Sequence, residues 1–313
     1  MSTSQPTERT ILFSYLALAA GVICMGFSGI FVKWANAPGP VTGFYRMIIV
    51  VLLLAGPFWR RVRRCPQPGA SWWSRFPRSA TRIALLSGLF FACDLTLWNT
   101  GILLSGATNP TLMGNTSPLW VGIGAYFLFR EKLGRHFWLG LGLALAGAVL
   151  ILGLDALRGF SLGLGTSLGL FAGMFYGAYF LATQRSRQTL DSLTAFWLAA
   201  ASSTVVLLLF CLVARLPLLG YSMKSYLSFL GLGLIVHGLG QFAFSYALGY
   251  LPASLVSPAG LGQPIVTALL AVPLLGETIT RGQIVGGLAV LTGIYIVHRS
   301  RQRPRRSAAL ARG

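Results

Sequence analysis

The segment ATNPTLMGNTSPLWVGIGAYFLFREKLGRHFWLGLGLALAGAVLI, Ala107–Ile151, returns 146 residues later, without a gap, as ASLVSPAGLGQPIVTALLAVPLLGETITRGQIVGGLAVLTGIYIV, Ala253–Val297. Ten positions are identical at that shift, among them Ala107/Ala253, Gly114/Gly260, Pro118/Pro264, Glu131/Glu277, Arg135/Arg281, Gly140/Gly286 and Gly147/Gly293. Each copy sets a glutamate between two apolar runs and follows it with glycines at the same spacing. The chain reads as a doubled unit.

The composition sets the solvent for that unit. Hydrophobic residues make up 55% of the chain and charged residues 10%, against about 25% charged in an ordinary soluble domain. The mean hydropathy is +0.70. A helix needs about 20 apolar residues to cross the hydrocarbon layer. Ten runs qualify, at about 14–34, 41–58, 82–104, 107–128, 137–154, 162–183, 191–213, 226–249, 253–275 and 282–298. They lack period-2 alternation, which excludes a transmembrane barrel. The predicted fold is an all-α membrane protein with ten transmembrane helices in two five-helix repeats, 14–154 and 162–298. Residues 1–13 form an N-terminal segment and 299–313 a basic tail. Five is odd, so the second repeat is inverted in the bilayer. Inverted repeats of this kind commonly give a membrane protein two access states around one site.

The net charge of +19 raises the question of nucleic acid. The basic residues sit in short segments between apolar runs, which is an orientation pattern and not a binding patch. With the N-terminus inside, 19 Lys and Arg fall on the inner side and five outside, leaving Arg46 within the second span. That bias predicts cytoplasmic N- and C-termini in a cell inner membrane. The tail either anchors this orientation or also binds anionic lipid. Trp72 and Trp73 in the second connection suit the headgroup level. The first apolar run is too long for a signal-peptide core. Cys24, Cys93 and Cys211 fall in apolar runs and Cys65 in a basic loop, a spacing that suggests neither disulfides nor a metal site.

With ten spans in two repeats, Arg46 early in the second span, and the paired FREKLGRHFWLGLGLALAG and LGETITRGQIVGGLAVLTG, the chain resembles the EamA-like branch of the drug/metabolite transporter superfamily. The resemblance covers nearly the whole chain apart from its ends. It implies a secondary transporter of small metabolites, often an exporter, with the substrate in a central cavity between the halves. It does not imply one substrate.

Helix breakers mark where such a cavity would be built. Pro118 and Pro264 are repeat equivalents, and a proline within a helix frees the carbonyl four residues earlier. Those carbonyls belong to Gly114 and Gly260, also equivalent. Pro110 and Pro258 are expected to break the same spans again. Disrupted helices near the midplane are a usual transporter site, although prolines also simply kink packed helices. Asn109, Asn115, Thr116 and Ser117 lie beside the first break, and Ser257, Gln263 and Thr267 beside the second. Such groups face a wet cavity or bond neighbouring helices.

Asp94 is the one acid deep in a span and should face inward, because a lipid-facing carboxylate is costly. Trp98 is one turn on and shares its face. Asp94 either couples protons or contacts a cationic group, or it pairs with Arg46, whose long side chain reaches inward. His237 and Gln241 share a face of the eighth span, and Gln241 aligns with Leu95, beside Asp94. His237 either carries protons or bonds a neighbouring helix. Phe171, Phe175 and Tyr179 recur every four residues on the sixth span, and Phe27, Phe31 and Trp34 nearly so on the first. Each stripe lines a substrate pocket or packs against helices and lipid. The candidate substrate-binding residues are therefore Arg46, Asp94, Trp98, Asn115, Tyr179, His237, Gln241 and Gln263, with Gly114, Pro118, Gly260 and Pro264 as breaks.

Glu131 and Glu277 each precede a helix, where a carboxylate suits the dipole. Thr280 with Gln283 reads as a capping box. Gly282 and Gly286 form a GxxxG for a close helix contact, internal or between two copies, so monomer and homodimer both stay open. No HExxH, metal cluster or paired buried carboxylate suggests an enzyme, and no cofactor is implied. No filter motif or charged ring suggests a channel. The expected function is alternating-access export of small organic metabolites such as amino acids, with proton coupling an option; the alternative is a passive channel or a non-transporting membrane scaffold.

Overall fold

The computed structural model describes residues 7–64, 76–105, 108–152, 163–276 and 278–310. The described residues are helical, with no strand among them. In chain order they form α1 (Glu8–Gly26), α2 (Ser28–Ala35), α3 (Gly39–Arg64), α4 (Arg78–Ser105), α5 (Thr108–Gly114), α6 (Ser117–Phe129), α7 (Arg135–Leu152), α8 (Leu164–Arg187), α9 (Ser192–Val213) and α10 (Met223–Gly231). A π-helical segment (Leu232–Gln241) then leads into α11 (Phe242–Ala247), followed by α12 (Ala253–Ala259), a 3₁₀ turn (Gly260–Gly262), α13 (Gln263–Leu275) and α14 (Arg281–Leu310). Eight helical segments are long and apolar enough to cross a membrane: Glu8–Ala35, Gly39–Arg63, Arg78–Ile102, Arg135–Leu152, Leu164–Arg187, Ser192–Val213, Met223–Ala247 and Ala253–Leu274. Cys65, Trp72, Trp73 and Glu277 lie outside the described residues.

Local chemistry sets the helix ends. The side chains of Thr7, Asp191 and Ser222 cap α1, α9 and α10 by accepting a backbone N–H three residues on, which satisfies a donor the helix leaves unpaired. At α14 both arms of the capping box are made: the Thr280 N–H donates to Gln283 Oε1 at 2.9 Å and the Gln283 N–H to Thr280 Oγ1 at 3.2 Å. Gly276 ends α13 at φ 70°, a left-handed conformation that costs glycine least.

The helices pack as a bundle in which α4 lies along α8, α3 along α9, and α1 along the π segment and α11. The main core runs through Leu18, Met47, Phe91, Tyr179, Phe180, Leu207 and Phe244. α7 and α14 form a tight pair with an apolar cluster of their own, including Phe137, Leu141, Ala144, Ala148 and Val290. Gly286 packs within this pair, against Gly147, so its contact is internal to the chain.

Several contacts join residues 146 apart. Trp197 Nε1 donates to the Val51 carbonyl at 3.1 Å, and the rings of Phe91 and His237 are 5.8 Å apart. Polar contacts mark the two ends of the bundle. At the Arg64 end of α3, Arg61 pairs with Asp191 at 3.0 Å. At its Gly39 end, the Tyr45 hydroxyl donates to the Leu218 carbonyl at 2.5 Å. Tyr45 and Arg61 are 16 residues apart on one helix, or about 24 Å at 1.5 Å per residue.

Three expectations change. Pro118 and Pro264 are not interior kinks: each stands in the first turn of its own helix, α6 and α13, where proline's missing N–H costs nothing. Pro110 likewise falls in the first turn of α5, while Pro258 is the penultimate residue of α12, which ends at Ala259 just before the 3₁₀ turn. The eighth span is not a uniform α-helix, because its middle is π-helical; the run LGLIVHGLGQ carries three glycines there, and a Cβ built on Gly238 would stand 2.9 Å from the Gly233 carbonyl oxygen five residues back.

Candidate functional site

A charged and polar cluster sits inside the bundle where α3, α4, α8 and the π segment meet. α3 supplies Arg46, seven residues from its Gly39 end and 4% exposed. α4 supplies Asp94. α8 supplies Tyr176 and Tyr179, one turn apart, with rings stacked at 5.9 Å. The π segment supplies His237 and Gln241, 3% and 1% exposed. Phe91, one turn before Asp94, packs on Tyr179 at 4.9 Å and on His237 at 5.8 Å.

Arg46 and Asp94 lie within electrostatic range of each other, and Tyr176 within range of both. Among the described residues, no ion pair or hydrogen bond joins Arg46 to Asp94, and Arg46 Nε has no partner. The Gln241 amide faces the hydroxyls of Tyr176 and Tyr179, yet neither its nitrogen nor its oxygen makes a hydrogen bond of regular geometry. Thr183 completes the surroundings of the Tyr179 hydroxyl. His237 Nδ1 is within 3.2 Å of the Leu232 carbonyl, five residues back along the π turn. Buried polar groups are normally hydrogen-bonded, and one left unpaired costs about 1–3 kcal/mol. A buried cation and a half-buried carboxylate within electrostatic range, but not ion-paired, are an arrangement suited to a polar guest.

The two interrupted spans flank this cluster. α5 stops at Gly114 and α6 starts at Ser117; α12 stops at Ala259, and α13 starts at Gln263 after the 3₁₀ turn Gly260–Gly262. The interruptions Asn115–Thr116 and Gly260–Gly262 overlap under the 146-residue shift. The Gly260 carbonyl is not left free: it accepts the Gln263 N–H across the 3₁₀ turn. The carbonyls of Met113 and Gly114 lie against Gly173 of α8, where a Cβ would meet them at 2.8 and 3.0 Å. That contact belongs to a run of close approaches at fourth-residue spacing. Gly169 meets the Pro110 backbone and Gly177 meets Trp120 and the Ser117 carbonyl, while Gly101 of α4 meets the Gly165 carbonyl and Pro110. Glycines 169, 173 and 177 thus form the track on which the first broken span rests, while Gly165 packs on α4.

The structure gathers five sequence-derived candidates, Arg46, Asp94, Tyr179, His237 and Gln241, into one cluster. The others stand at the breaks. Trp98 covers Gly114, where a Cβ would be 3.5 Å from its ring. Asn115 is at the first interruption with its Nδ2 buried and unpartnered, and Gln263 opens α13. A Cβ on Gly260 would be 3.8 Å from Phe244, whose ring continues through Phe180 to Tyr179. The aromatic stripe on α8 divides: Phe171 is exposed, Phe175 reaches Phe90, and Tyr179 is buried in the cluster. Tyr176 and Phe91 were not singled out from the sequence; the signal was there, since each lies one helical turn from a residue that was.

Glu131 does not cap a helix. It precedes α7 by four residues, and its Oε2 accepts Ser254 Oγ at 2.6 Å and Arg301 at 2.5 Å. An apolar pocket of about 300 Å³ opens between α1, α12 and α14, lined by Tyr15, Leu255, Leu291, Tyr295 and His298. It shares no residue with the polar cluster.

A bundle of membrane-length helices around a buried polar cluster defines a multi-pass membrane transport protein. The chain belongs to the EamA-like transporter family, whose model matches residues 12–153 and 163–299. It is 27% identical over 274 residues to an uncharacterized transporter of Synechocystis sp., a match covering 83% of this chain and 79% of that one. It is 27% identical over 191 residues to a probable amino-acid metabolite efflux pump of Salmonella typhimurium, covering 56% of this chain and 62% of that protein. A solved crystal structure superposes with a TM-score of 0.73 at 16% identity, over 92% of this chain and 97% of that one; at that identity the likeness concerns the fold.

Proposed function

We propose that this transporter is a secondary active exporter of small organic metabolites, amino acids or related compounds, working by alternating access around the cluster of Arg46, Asp94, Tyr179, His237 and Gln241. The observation that carries the reading is that Arg46 and Asp94 lie within electrostatic range of each other without forming an ion pair, beside a buried Gln241 amide that is also unsatisfied. A zwitterionic or otherwise polar cargo supplies the missing partners. The probable efflux function of the Salmonella relative supports the same direction and substrate class. Asp94 is the group through which proton coupling would act.

The ten-span, inverted-repeat architecture is part of the same proposal. Exchanging the two repeats turns the α4–α8 contact into that of α1 with the π segment, and returns the α3–α9 and α7–α14 contacts to themselves. Arg61 with Asp191, and Glu131 with Ser254 and Arg301, bring the even-numbered connections and the tail to one end. The charge bias supports assigning that end to the cytoplasm. Neither a cofactor nor a metal has a place in the scheme, and a monomer or homodimer serves it equally.

Purified protein in liposomes loaded with labelled amino acid tests the reading. Efflux that rises with unlabelled amino acid outside, saturates and responds to a proton gradient is expected. Flux that is linear in concentration and indifferent to both would instead make the protein a passive channel. Reporter fusions after Arg64 and near Arg158 should read cytoplasmic and exterior, respectively.

A further inference from the structure

The tail end of the bundle carries a second group of polar contacts, partly buried and remote in sequence from the cluster. Glu131 follows α6, Ser254 opens α12 and Arg301 lies in the last part of α14. All three meet at one carboxylate oxygen, with Ser254 Oγ at 2.6 Å and Arg301 at 2.5 Å. The Glu131 side chain is 12% exposed and that of Arg301 20%, so the pair is largely out of water, where charge-assisted hydrogen bonds are strongest. One residue before Ser254, the Ala253 N–H donates to Gln184 Oε1 of α8 at 2.7 Å. The end of one broken span, the start of the other, α8 and α14 are tied together here. An opening of the bundle at this end has to part these elements.

The repeat makes the tie asymmetric. Under the 146-residue shift Glu131 corresponds to Glu277 and Ser254 to Thr108, so a carboxylate and a hydroxyl recur. Arg301 corresponds to Asp155. The position equivalent to Arg301 thus carries an acid in place of the cation.

We infer that Glu131, held by Ser254 and Arg301, is the latch that closes the tail end of the transporter in one access state, and that Arg301 biases the resting protein toward that state. This rests on the alternating-access reading. A ligand or contact shifts such an equilibrium only by its differential energy between the states, and a contact made when this end is closed and broken when it is open supplies that difference.

The test replaces the four cysteines by serine, adds Thr183→Cys beside Tyr179, and measures labelling by a membrane-impermeant maleimide from the tail side of oriented vesicles. Labelling is expected to be slow in the parent and about five-fold or more faster in Glu131→Gln and Arg301→Gln, the ratio that about 1 kcal/mol produces. The charge-exchanged double variant Glu131→Arg/Arg301→Glu should return it toward the parent rate. Thermal stability of each purified variant separates an opened gate from a damaged fold. If labelling changes with added amino acid but not with either latch variant, the latch is overturned and alternating access stands. If it is insensitive to amino acid and to both variants, from either side of the membrane, both fall. If a Gln variant is also grossly unstable, Ser254→Ala replaces it, with the same faster labelling expected and an unchanged rate overturning the latch.

Discussion

Gly147 of α7 and Gly286 of α14 lie back to back, so that a Cβ built on either would stand 2.5–2.6 Å from the other's carbonyl oxygen. Gly140 and Gly293 meet in the same way at 2.8 and 2.5 Å, and the 146-residue shift carries one pair onto the other. With no side chain between them, the two backbones approach at both points, the geometry that small residues permit within a membrane.

Gly286→Leu should therefore destabilise the protein by about 1–3 kcal/mol, the usual cost of forcing atoms into a filled space. Gly142 has open space where its Cβ would be, and Gly142→Leu should stay within about 0.5 kcal/mol of the parent. Thermal unfolding in detergent measures both. Equal losses would mean that helix propensity, and not the crossing, decides.

Removing the charge from Asp94 tests the cluster. Asp94→Asn should insert normally, cut transport at least about ten-fold, and lower the unfolding temperature, because Arg46 is left buried with no anion near it. The double variant Arg46→Gln/Asp94→Asn should regain stability without regaining transport. A double variant that transports normally would remove both residues from the site.

Gln241→Leu separates function from stability more sharply. The amide is buried and unsatisfied, so an apolar replacement of similar size should leave stability unchanged or raise it by about 1 kcal/mol. Transport should fall nonetheless. A fall in stability would mean the amide is better bonded than its geometry indicates.

At the first break, Gly114 has room for a methyl group, with Trp98 3.5 Å beyond. Gly114→Ala should transport as the parent does. Gly114→Leu should abolish amino-acid binding, measured by thermal shift, because its branches must displace the Trp98 ring. Tolerance of leucine would put the substrate elsewhere.

Asp191 caps α9 by accepting from the Thr194 N–H and hydroxyl. Burial pushes its carboxyl up, but these hydrogen bonds and the Arg61 charge outweigh burial and hold it below its ordinary value. A carboxylate lowered by folding contributes stability above its unfolded pKa of about 3.9 and loses it as pH falls through the lower folded value. Asp191→Ala should cost about 0.5–2 kcal/mol at neutral pH, as lost caps do. The gap between variant and parent should close in acid, below about pH 4; a gap constant across that range would assign the effect to packing.

Much of this was legible in the chain. The apolar runs announced the helices, and the repeat located both interruptions, because Gly114 and Gly260 recur at one spacing with a proline four residues on. Asp94 and Arg46 stood out because charge is rare in such runs. What stayed hidden depended on contacts between distant segments. Nothing near Glu131 in sequence points to Arg301, 170 residues away, so a helix dipole was the available explanation. The π turn at Leu232–Gln241 was hidden because its glycines fit an α-helix equally well. The glycine track at 169, 173 and 177 was visible as a period, but what lies on it became apparent only when α5 and α6 were placed there.

That track has a mechanical consequence. α5 is seven residues long, a rod of about 10 Å, too short to hold its shape alone. It keeps its shape by lying on bare backbone. Side chains that interlock resist displacement like teeth, since each must climb out of its socket before the helix can move. A glycine surface has no teeth, and a short rod on it can slide or tilt while keeping contact throughout. The first half of the chain thus carries a smooth bearing beside its break, and movement there need not begin by tearing open a packed core.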